Sequence, residues 1–168
     1  MHMLICAIVY AVDEDTALEE AQSIFETLCE HEHFDYYQTF DEGGKDRWGD
    51  LPIVAKVNNK EGKKLINDGM KNTRECFTEN LKVIREALKV KADEELFEDG
   101  YFKSHLHWAG MHSGQSIWLY DNNGSGIENS EHLKDVLNKW KCFYKDVPAK
   151  QNPYKNTEVF VVPADVHF

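Results

Sequence analysis

Ile66, Met70, Thr73, Phe77, Leu81, Ile84 and Leu88 follow one another at intervals of 4, 3, 4, 4, 3 and 4 residues. Only a helix turns that spacing into one continuous stripe, and at 1.5 Å per residue the helix runs to about 40 Å. A one-sided helix of that length cannot cover its own apolar face, so the rest of the chain must supply a sheet or other helices to receive it. Gly69 weakens the first half and is expected to mark a kink or the true start.

The receiving surface is legible at both ends of the sequence. Residues 3–12 are rich in β-branched and aromatic side chains and predict a buried strand. A helix follows, with Thr16 and Glu19 at capping-box spacing and an inward stripe of Ala17, Leu18, Ala21, Ile24, Phe25 and Leu28. FDYYQTF (34–40) and LPIVAKV (51–57) predict further strands, residues 101–120 a strand pair around GMHSG, and EVFVV (158–162) a last strand. Ser130 is the expected N-cap of a helix turning Leu133, Val136, Leu137 and Trp140 inward. Mixed elements without regular βα alternation predict one α+β domain over residues 1–168, a largely antiparallel sheet with helices on one face. A ferredoxin-like core with insertions fits the opening β-α-β.

With 168 residues, 42% hydrophobic and 29% charged, the chain is long and apolar enough to build a core without cross-links. Cys6, Cys29, Cys76 and Cys142 are widely spaced and form no C-x-x-C pair, which predicts four free thiols and a reducing compartment. The apolar opening is short, lacks a basic flank and runs directly into acidic residues, so neither a signal peptide nor a membrane span is expected and the location read from sequence is cytoplasmic.

The net charge of −11 is concentrated at one end: residues 1–44 hold eleven Asp and Glu and no Lys or Arg, while the remainder is balanced at 19 of each sign. Such a field repels nucleic acid and anionic membrane and favours a basic protein surface.

Three histidines crowd residues 105–112. On a strand, His105 and His107 share a face and converge with His112 on a metal such as zinc, which needs one or two further ligands. Read as a helix, the same segment separates His105 from His107. His31 and His33 repeat the H-x-H spacing. Asp121, Asn123, Ser125 and Gly126 match the first half of a calcium loop, but His132 stands where the loop requires a bidentate Glu, so a plain turn is the expectation. No phosphate-binding glycine loop or nucleophile elbow is present. The functional expectation is a non-catalytic binding or regulatory module with an acidic surface. Its alternatives are a metal-dependent hydrolase built on His105, His107 and His112, and an acidic mimic of nucleic-acid charge.

Overall fold

The computed structural model describes residues 1–41, 45–110 and 114–168, with the backbone alone at 45, 46, 142 and 143. Strand β1 (His2–Ala11) leads into α1 (Glu14–Glu30), β2 (Tyr36–Thr39), α2 (Lys45–Trp48) and β3 (Ala55–Lys56). The long α3 (Lys60–Val90) is followed by α4 (Asp93–Glu98), α5 (Gly100–Ala109), β4 (Leu119–Tyr120), α6 (Ser130–Leu137), α7 (Lys141–Tyr144) and β5 (Glu158–His167). The class is α+β, as expected, with a five-stranded and mostly antiparallel sheet in the order β2-β5-β1-β4. Strand β3 also pairs with β5.

The first and last strands form the centre of the sheet. β1 and β5 pair antiparallel over ten residues, from His2 opposite His167 to Ala11 opposite Glu158. β2 lies beyond β5, so β1-α1-β2 is a split β-α-β unit with β5 inserted, the unit a ferredoxin-like core contains. Pro163, in the middle of β5, raises the question of its missing N–H. Its partner Cys6 donates its own N–H to the Trp118 carbonyl at 2.9 Å, away from β5. The Cys6–Pro163 pair is therefore of the non-hydrogen-bonded kind, and the Pro163 nitrogen faces outward. It falls between the segment paired to β3 (160 and 161) and the segment paired to β2 (164–167), where no ladder bond is required.

The expectation of helices on one face is corrected: both faces are covered. Ile5, Ala7 and Val9 of β1 and Phe160, Val162 and Ala164 of β5 pack against Ala17, Ala21, Ile24, Phe25 and Leu28 of α1. The alternate residues Cys6, Ile8, Tyr10, Val159 and Val161 pack against Leu65 and Ile66 of α3 and Val136 of α6. Double coverage is why β1 reads as an unbroken apolar run rather than an alternating one.

Helix ends differ from the sequence reading by small steps with clear causes. Asp13, not Thr16, caps α1, its carboxylate accepting the Thr16 N–H at 2.8 Å. Asn129, not Ser130, caps α6, accepting from Glu131 and His132. Helix α3 is 31 residues long, about 46 Å at the standard rise. Gly69 lies inside it at a point of close approach, where a Cβ would come within 2.5 Å of a Leu119 methyl. Beyond that point α3 leaves the sheet and packs on α5, which is why Phe77 and Leu81 are only half-buried and Leu88 is exposed.

The expected strand over 101–109 is α5 instead. Asp99 accepts the Phe102 N–H at 3.1 Å and starts the helix, and none of its side chains is fully buried. The expected strand over 51–57 shrinks to Ala55–Lys56, and the strand near residue 118 to Leu119–Tyr120, which runs parallel to β1.

Burial shapes the chemistry of the core. Desolvation pushes the Cys6 thiol up to about 12 and raises the phenols of Tyr10, which donates to the Val136 carbonyl at 2.9 Å, and of Tyr120. Groups with raised folded pKa values contribute stability that is complete below their unfolded values and is lost as pH climbs through the folded ones. Stability is therefore expected to fall steadily as pH rises from about 9, the ordinary thiol value, toward 12. Tyrosine absorbance recorded during alkaline titration checks this: the buried phenols should ionise only together with unfolding.

Candidate functional site

A cleft of about 870 Å³ opens at one end of the sheet, bounded by the first residues of β1, the middle of α3, α5 and Trp48 of α2. The volume lies in the range of small-molecule sites. Three of the chain's four tryptophans, Trp48, Trp108 and Trp118, wall it together with Phe168 and Val83. Two histidines, His2 and His105, also line it, each with its Nδ1 already engaged.

The first is organised by Asp165, a 5% exposed carboxylate between the buried Ala164 and Val166 of β5. Oδ2 lies 3.0 Å from His2 Nδ1 and 3.6 Å from Arg47 Nε, and Oδ1 accepts the Trp48 indole N–H at 2.9 Å. An ionised carboxylate only accepts, so His2 Nδ1 carries the proton. One buried charge thus fixes the orientation of an imidazole and of an aromatic wall together.

The second is organised by Asn80. Its Nδ2 donates to the Cys76 carbonyl at 2.8 Å and approaches Cys76 Sγ at 3.3 Å, which settles the amide's orientation. Asn80 Oδ1 then accepts from His105 Nδ1 at 2.6 Å. The ring sits edge-to-face with Tyr101 and Trp108 at 4.4 and 5.2 Å, and its Nε2 is shielded and has no partner among the described residues. Burial raises the Cys76 pKa despite the Asn80 contact, so its thiol stays protonated, the form that is a poor nucleophile.

This placement corrects the metal geometry expected from the sequence. His105 and His107 stand two residues apart on a helix, about 200° around its axis. His105 turns toward α3, while His107 is exposed. His112 lies outside the described residues, and among those residues no three His, Cys, Asp or Glu side chains gather closely enough to hold a metal ion. His31 is the exposed C-cap of α1.

The 121–126 segment is a turn held by Asp121, whose Oδ1 accepts the N–H groups of Asn123 and Ser125 at 2.8 and 3.0 Å. Its Oδ2 lies 3.3 Å from His132 Nε2. Cys6, Cys29 and Cys76 are free thiols, and the side chain of Cys142 lies outside the description.

Sequence spacing could not reveal His2, Trp48 and Asp165, which are spread over 163 residues. The one available signal was a lone carboxylate within the apolar run that ends the chain.

Among the described residues no helix is long and apolar enough to cross a membrane. No curated protein and no solved structure matches the chain. One family profile does match, over residues 1–168, and the chain accordingly belongs to the family described as Domain of unknown function (DUF7995).

Proposed function

We propose that this chain is a binding module whose ligand site is the tryptophan-walled cleft. The observation that carries the reading is the convergence there of a largely apolar wall with a few oriented polar groups, centred on Asp165. Protonated thiols at Cys6, Cys29 and Cys76 favour binding over thiol chemistry. A fragment screen read by tryptophan fluorescence and thermal shift tests it, because a ligand that binds only the folded state raises Tm with concentration. Hits are expected to weaken at least tenfold in Asn72→Trp, which fills the cleft from its rim (~1.4 kcal/mol per tenfold). Hits indifferent to that substitution would sink the reading.

A basic protein surface is the second reading, and the charge of α1 favours it. Asp13, Asp15, Glu19, Glu20 and Glu26 are all exposed. Glu14, Asp15, Asp41, Asp50 and Glu61 rim an adjoining groove of about 650 Å³ floored by Leu51, Pro52, Ile53 and Val54. A partner engaged here should lose affinity steeply between 50 and 300 mM salt, on the order of the Debye screening of exposed charges, and on changing Asp15, Glu19 and Glu20 to Lys. The same surface would serve a mimic of nucleic-acid charge, the case in which the partner's basic groove also binds DNA or RNA.

A further inference from the structure

Asp165 couples two recognition elements of the cleft, and their coupling defines what fits between them. Its Oδ1 holds the Trp48 indole and its Oδ2 holds His2, so an aromatic wall and an imidazole are anchored on the two oxygens of one carboxyl group. Both side chains line the same cleft. With a proton held on Nδ1 by Asp165, the neutral form of the His2 ring presents Nε2 as a lone pair. No described residue bonds to that Nε2, and the His2 side chain is 23% exposed and lines the cleft. A Trp wall accepts planar rings, and an open acceptor beside it is completed by a donor.

We infer that the cleft takes a planar aromatic ligand bearing an N–H or O–H group, its ring against Trp48 and its donor on His2 Nε2. The inference rests on the cleft being the ligand site and adds the ligand class. A ligand of the same shape without the donor would leave the lone pair facing an apolar surface, and this is the source of discrimination.

Indole and 1-methylindole differ at that one group and are the probes. Titration of isotope-labelled protein, followed on the Trp48 indole N–H and the His2 ring nitrogens, should show indole binding at least about tenfold more tightly, the value of one hydrogen bond. The His2 Nε2 resonance should move upfield with indole and stay still with 1-methylindole. His2→Phe keeps a ring at the position and should bring the two probes to equal affinity. In Asp165→Asn one of the two donors meets an NH2 group, and the preference should shrink while backbone spectra report whether the fold is retained. Equal affinities in the unaltered protein, or a preference that survives His2→Phe, overturn the inference. If neither probe binds while other fragments do, and these are displaced by Asn72→Trp, the ligand class is wrong and the cleft remains the site. If no fragment reaches the cleft, both readings fall.

Discussion

Replacing Phe160 by alanine is expected to lower the unfolding free energy by about 3–5 kcal/mol. Phe160 is 1% exposed and among the largest fully buried side chains. It stands on β5 opposite Val9 of β1, packs in the core beneath α1, and has β3 paired at its own position through Lys56. Backbone ladders on both sides hold the strand in place, so the site cannot collapse around the missing ring and a cavity remains. Chemical denaturation should show a lower midpoint with an unchanged slope. A loss under about 1 kcal/mol would mean that α1 can settle onto the sheet, against the rigid packing described.

Gly62→Ala is expected to be destabilising by about 2 kcal/mol, although alanine is the better helix former. In α3 the exchange gains at most about 1 kcal/mol of propensity. Against this, the new Cβ would overlap the carbonyl of Lys56, with its carbonyl carbon only 2.9 Å away, and the obstacle is backbone that cannot rotate aside. Overpacking of this kind costs about 1–3 kcal/mol or more, so the clash wins. Gly100→Ala is the control. It lies in α5 with nothing within 4 Å of the added methyl, and there the propensity gain should stand alone, raising stability by up to about 1 kcal/mol. Thermal unfolding of the two variants side by side should therefore give shifts of opposite sign.

The difference between those glycines also marks how far the sequence could be read. β1, α1 and α3 were legible because each buries one continuous apolar surface, and the period of that surface survives in the letters. The helix at 100–109 was not. It rests on the far half of α3 rather than on the sheet and buries no side chain fully. Its Phe102, Leu106 and Trp108 therefore satisfied a strand's alternation, while Phe102, Leu106 and Ala109 satisfied a helix's turn. β3 and β4 were mispredicted in length because two-residue strands are set by their partners on β5 and β1, not by their own composition. The cleft was hidden for a different reason. His105 drew notice as one of a local trio, yet its structural partner is Asn80, 25 residues earlier. His2 pairs with Asp165 across nearly the whole chain.

The same long span has a consequence for how the molecule comes into being. β5 is the strand to which β1, β2 and β3 all hydrogen-bond, and it stands about 150 residues after β1. At the usual pace of translation, about 5–20 residues per second, β1 waits on the order of 7–30 s for its main partner to be synthesised. Through that interval the nascent chain can form α1 and α3, whose contacts are local, but among the described residues its most apolar strand has only the two residues of β4 to pair with. The central β1–β5 ladder can close only once β5 has been made, and until then protection of β1 falls largely to the ribosome's surroundings rather than to the fold.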